Sequence, residues 1–144
     1  MTEYFYSNNF GPLQKAATCA MWWLVERASL ASKKTGFVYV PSTEDFNDKT
    51  FGVAVSELYG DRHVKELMLN GETTIGETRI ILFGDENLIT DAGDCPLVAF
   101  YPLSEDLEGL DSIKNVTEML VVPYIEKDIV GWIQKRKPIV LTAP

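Results

Sequence analysis

Leu97-Val98-Ala99-Phe100-Tyr101-Pro102-Leu103-Ser104-Glu105-Asp106-Leu107 is an apolar run, then a proline, a hydroxyl residue, an acidic pair and the first apolar residue of a new period. A run this short and this continuous predicts a strand covered on both faces. The residues after it predict a helix, with Ser104 as cap and Glu105 and Asp106 near its positive end. Strand-to-helix junctions of this kind build α/β layers.

The same punctuation recurs along the chain. Phe37 to Val40, Arg79 to Phe83 and Met119 to Val122 are further β-rich runs bounded by turn residues, and Val38 to Phe46 repeats the strand, proline, hydroxyl and acidic-pair order of Ala99 to Leu107. A duplicated half-domain or the ordinary chemistry of such junctions accounts for the repeat. The expectation is one α/β domain over residues 1–144, three-layered, with a mixed and largely parallel sheet of about four or five strands flanked by about four helices.

The first helix is predicted from Pro12 to Gly36, with Leu13, Ala17, Ala20, Leu24, Ala28 and Ala31 facing the core, Leu30 to the side and Arg27 among the core-facing positions. A second runs from Asp48 to Tyr59 on Phe51, Val55 and Leu58. Asp61 to Asn70 fits a helix or a strand; as a strand it would turn through Gly71 to Gly76 onto the Arg79 run. The 85–96 connection is too short for a crossover helix, so the Arg79 and Leu97 strands are expected to pair antiparallel. A helix from Ser104 to Asn115 would bury Leu107, Leu110 and Ile113. The last helix would bury Ile125, Ile129, Trp132 and Ile133 and end at Pro138, leaving Ile139 to Leu141 as a tail or short edge strand.

Composition excludes several functions. The chain has 144 residues, 46% hydrophobic and 24% charged, with a net charge of -8. Phosphate backbones require clustered Lys and Arg, so direct nucleic-acid binding is not expected. No basic start with an apolar run suggests a signal peptide, and no stretch approaches the roughly 20 apolar residues of a membrane span. Cys19 and Cys95 match neither a zinc nor a redox spacing and read as free thiols of a reducing, cytoplasmic compartment. GxxxxGK[ST], GxGxxG and GxSxG are absent.

Two readings of function stand side by side. The first is a small acidic interaction or regulatory protein, of inhibitor or immunity type or self-associating. Its anchor would be Trp22, set in a lane of Lys15, Thr18, Glu26, Ser29 and Lys33, with Trp23 and Arg27 beside it; the alternative is that Tyr4, Phe5, Tyr6 and Phe10 cover this surface within the chain. The second is a ligand-binding domain or enzyme using acids delivered beyond the strand ends: Glu44 and Asp45, Asp85 and Glu86, Glu105 and Asp106, Glu126 and Asp128. Its ligand residues would be Asp85, Asp91, Asp94 and Glu105, with Mg²⁺ as the cofactor and a phosphorylated small molecule as the ligand of this second reading, and no cofactor for the first. Asp85 and His63 are the catalytic candidates, His63 as a base oriented by Asp61. Carboxylates in first helical turns also have a purely structural use.

Overall fold

The computed structural model describes residues 2–8, 14–41 and 50–141. They form an α/β fold with a seven-stranded mixed sheet ordered β3-β4-β2-β5-β6-β1-β7. The strands are β1 (Glu3–Ser7), β2 (Thr35–Tyr39), β3 (Glu72–Ile75), β4 (Thr78–Phe83), β5 (Asp91–Phe100), β6 (Lys114–Val122) and β7 (Ile139–Leu141). All pairings are parallel except the β3–β4 hairpin.

Alternation along the strands sends side chains to two apolar layers. Val38, Val40, Ile80, Leu82, Val98 and Phe100 meet α1 (Gln14–Leu30), α2 (Thr50–Tyr59) and α3 (Asp61–Asn70) on the first face. Phe37, Tyr39, Phe83, Leu97, Ala99 and Val121 meet α4 (Ser104–Asp111) and α5 (Val130–Arg136) on the second. A central strand buried on both faces reads as a continuous apolar run, and that is why these strands were visible in the sequence.

Seven strands exceed the expected four or five, and β1 and β3 are the two that no sequence run had marked. Tyr4-Phe5-Tyr6 lies within the sheet, between β6 and β7; from there Phe5 packs against Trp23 of α1, and Trp22 stays exposed. Residues 72–75 form the hairpin that Asp61 to Asn70 would have made as a strand, because Gly60 and Gly71 bound a helix there that buries His63, Val64 and Leu67. The tail Ile139–Leu141 is an edge strand on β1.

The expected antiparallel pairing of the Arg79 and Leu97 strands is not formed. Tyr39 is level with Phe83 on one side and Ala99 on the other, so β2 separates β4 from β5 and both run parallel to it. From Phe83 the chain must return to Asp91, about 26 Å of strand below Ala99 before the bulges in β5 shorten it. It does so with one 3₁₀ turn (Asp85–Asn87) and an extended stretch whose Ile89 packs on the second face. The connection is indeed too short for a helix, and extended chain makes the crossover in its place.

Several helix limits also differ. Arg27 is exposed rather than core-facing, Leu30 is 85% exposed, and α1 ends there, short of Gly36. Ser104 is the first residue of α4 and not its cap; the Asp106 carboxylate accepts the Leu103 N–H at 2.9 Å. That helix stops at Asp111, because Lys114 already belongs to β6. The final helix is split into a 3₁₀ turn (Glu126–Asp128) and α5, which leaves Ile125 43% exposed while Ile129 and Trp132 are buried. Pro12, Leu13, Phe10, Glu44, Asp45 and Asp48 lie outside the described residues.

Candidate functional site

The connections leaving the strands' carboxyl ends diverge to opposite sides of the sheet at β2. From β2 the chain reaches α2 on the first face; from β4 and β5 it passes to Ile89 and α4 on the second. In open α/β sheets this divergence opens a crevice between neighbouring strands, where ligands bind.

Tyr39, the last residue of β2, is fully buried, and its hydroxyl donates to Asp85 Oδ1 at 2.7 Å. Asp85 leaves the end of β4 through Gly84, where an added Cβ would lie 3.0 Å from both the Glu86 carboxylate and the Val40 carbonyl oxygen. Asp106, from the first turn of α4, completes the group: its charge acts on both Asp85 and Tyr39. Three neighbouring strand ends thus converge on two carboxylates and one phenol.

The electrostatics follow from that convergence. Asp85 is exposed as a residue, yet partial desolvation of its carboxyl group is the largest cause raising its pKa. The Tyr39 hydrogen bond opposes this, while the charges of Asp106 and Glu86 add to it. Burial above all, then the bond to Asp85 and the nearby Asp106 charge, push the Tyr39 hydroxyl far above the usual phenol range, so it stays a donor. Two ionised carboxylates in contact repel, and the pair is relieved by a shared proton or by a cation.

The other candidates are dispersed. Glu105 is exposed and its neighbour Asp106 takes the crevice position. Asp91 and Asp94 lie on β5 at the opposite, amino-terminal end of the sheet, so the acidic 84–94 segment makes no single cluster. Asp91 is engaged structurally, accepting the Gly93 N–H at 2.8 Å and the Asn115 amide at 3.1 and 3.2 Å, bonds that hold its pKa low. Glu126 and Asp128 occupy the 3₁₀ turn after β6. No group of three or more metal-ligating side chains is found among the described residues.

His63 is not oriented by Asp61, whose carboxylate is bonded by Ser56 instead. It is buried against β3, with Nδ1 2.7 Å from Thr73 Oγ1, and Thr73 donates to Glu66 at 2.8 Å. Since the hydroxyl proton goes to Glu66, His63 Nδ1 is the donor to Thr73. This is a tie between α3 and β3.

The expected interface is only partly present. Trp23 is buried, edge-on to Phe5 at 5.6 Å, with Arg27 5.3 Å above its ring and paired to Glu118. Trp22 is 57% exposed. Cys19 is partly exposed on α1 and Cys95 is buried in β5, where burial raises its thiol pKa; neither forms a disulfide.

Tyr39 was missed in the sequence, and Asp106 was placed only as the partner of Glu105. A signal was present for the first: a tyrosine on the inward register of a buried strand needs a hydrogen-bond acceptor, and only a neighbouring strand end can supply one. No helix of the described residues is long and apolar enough to cross a membrane. No protein-family model matches the chain, and searches of curated proteins and of solved structures return no match.

Proposed function

We propose that the chain is a ligand-binding α/β domain whose crevice at β2, β4 and β5 receives a positively charged group of a small molecule. The observation that carries this reading is the meeting of Asp85 and Asp106 over the buried Tyr39 hydroxyl. Among the described residues no cation is among the groups that shift Asp85, and the charges of Asp106 and Glu86 both oppose its ionisation. An ammonium, a guanidinium or hydrated Mg²⁺, which keeps several waters and needs only one or two carboxylates, would supply the missing charge. A carboxyl group whose pKa is raised is also what acid–base chemistry uses, and Asp85 is such a group.

The test is a thermal-shift series with L-arginine and with MgCl₂ on the wild type, Asp85→Asn and Asp106→Asn. A midpoint raised by either cation in the wild type and in neither variant supports the site by mass action. Equal shifts in all three proteins, or none in any, reject it.

A second reading, a cytoplasmic interaction protein that associates with a partner or with itself, is favoured by Trp22. Its indole projects from the outer face of α1 with 57% exposure, and Val53 and Met68 on the neighbouring α2 and α3 are 41% and 44% exposed. Large exposed side chains of this kind anchor interfaces when they gather into a patch. Light scattering on Trp22→Ala decides it: a wild-type assembly that the substitution dissociates supports association, and an unchanged monomer removes it.

A further inference from the structure

The second face of the sheet is covered unequally. Helices α4 and α5 follow β5 and β6, whereas the β4-to-β5 crossover is extended chain. The amino-terminal halves of β2 and β4 therefore carry no helix on this side, and a cavity of about 450 Å³ opens there, at the end of the sheet opposite Asp85. Phe37 and Ile81 form its apolar floor. Its size falls in the range of small-molecule sites.

The charged groups around that floor differ in how far they are engaged. Arg79 is held by Glu72 through two hydrogen bonds of 2.6 and 2.8 Å, and Asp91 accepts from Gly93 and Asn115. Lys33 and Asp94 line the same cavity and, among the described residues, form an ion pair neither with each other nor with any other side chain. The Lys33 ammonium lies directly over Gly93: a Cβ there would sit 2.7 Å from Nζ, so any larger residue would displace it. A cation whose charge reaches Asp91 without forming an ion pair with it, and an anion with no ion pair among the described residues, thus flank an apolar floor.

We propose that this cavity binds a zwitterion with an apolar body, that is, a free amino acid with an aromatic or aliphatic side chain. The ligand carboxylate would face Lys33, its ammonium would face Asp94, and its side chain would rest on Phe37 and Ile81. A ligand with one charge meets only half of this pattern. The site is independent of the carboxyl-end crevice, and neither proposal needs the other.

The experiment titrates isotope-labelled protein with L-phenylalanine, L-leucine, phenylacetate and phenethylamine, following amide shifts of residues 33–37 and 91–95. Expected are saturable shifts for at least one of the two amino acids and binding weaker by roughly tenfold or more for the singly charged analogues. Lys33→Met and Asp94→Asn should each weaken amino-acid binding by a similar factor; both change exposed side chains, and circular dichroism checks that they fold. No saturable shift with either amino acid, equal binding of the singly charged analogues, or full affinity in both variants would overturn the assignment.

Discussion

Gly36 enters β2 directly beneath α1, and replacing it with alanine tests the packing that positions Tyr39. An added Cβ would lie 3.0 Å from Leu24 Cδ1 and 3.1 Å from both Leu24 Cγ and Ala28 Cβ. Carbon–carbon contacts settle at about 3.5–4.0 Å, so each of these atoms must retreat by roughly half an ångström. Overpacking of this kind costs about 1–3 kcal/mol, offset by about 0.4–1 kcal/mol from the stiffer unfolded chain. We expect Gly36→Ala to destabilise by about 1–2 kcal/mol, or roughly 2–8 °C for a chain of this size. Leu24 is fully buried, and Leu24→Ala alone should cost about 3–5 kcal/mol. In that background two of the three close contacts are gone and the new methyl enters the vacated space, so Gly36→Ala should be neutral or stabilising by about 1 kcal/mol. The cycle therefore predicts a coupling of about 2 kcal/mol, measured by urea unfolding with tryptophan fluorescence as the probe. Additive effects, within about 0.5 kcal/mol, would refute the described packing of α1 on β2.

Three further outcomes follow from side chains outside that contact. Arg27→Ala should destabilise by about 1 kcal/mol and red-shift tryptophan emission, because the guanidinium shields the Trp23 and Phe5 rings and pairs with Glu118; unchanged urea midpoint and emission would contradict this. In a tyrosinate absorbance titration, Tyr59 should ionise near pH 12, held up by burial and then by Glu26, and Tyr39 should stay protonated beyond it. A raised phenol pKa gives stability that is fully present below the unfolded value near 10 and lost as pH rises through the folded one, so stability should decline above pH 10. Ordinary titration of all tyrosines in the folded protein would contradict both. Asp91 has the opposite sign: its lowered pKa gives stability present above the unfolded value and lost as pH falls through the folded one, so Asp91→Ala should flatten the acid limb of the stability curve. An acid limb identical to the wild type would remove that role.

What the sequence made legible was whatever burial alone determines. The runs containing Val38, Ile80, Val98 and Leu120 announced strands because each is covered on both sides over at least its carboxyl half, and the layered α/β class follows from them. Strands β1 and β3 were hidden for a common reason: they are short and sit toward the margins, where Glu3 faces solvent, Glu72 is half-buried and no continuous apolar run develops. Strand order is a property of long-range pairing, so the insertion of β2 between β4 and β5 could not be read from the short 84–90 connection. The site shows the same division. That acids would emerge beyond strand ends was evident, whereas the choice of Asp106 over Glu105 depends on which side of the first turn of α4 faces β4. Asp91 and Asp94 seemed close to Asp85 in sequence, yet an extended crossover separates them by nearly the length of the sheet.

The proposed site requires Asp85 and Asp106 to share one crevice, and a carboxyl ¹³C NMR titration of the two side chains measures that directly. It predicts that Asp85 titrates above the ordinary aspartate value of about 3.9 and that Asp106→Asn brings it down toward that value, since one of the two charges opposing its ionisation is removed. An ordinary, independent titration of Asp85 that Asp106→Asn leaves unmoved would contradict it.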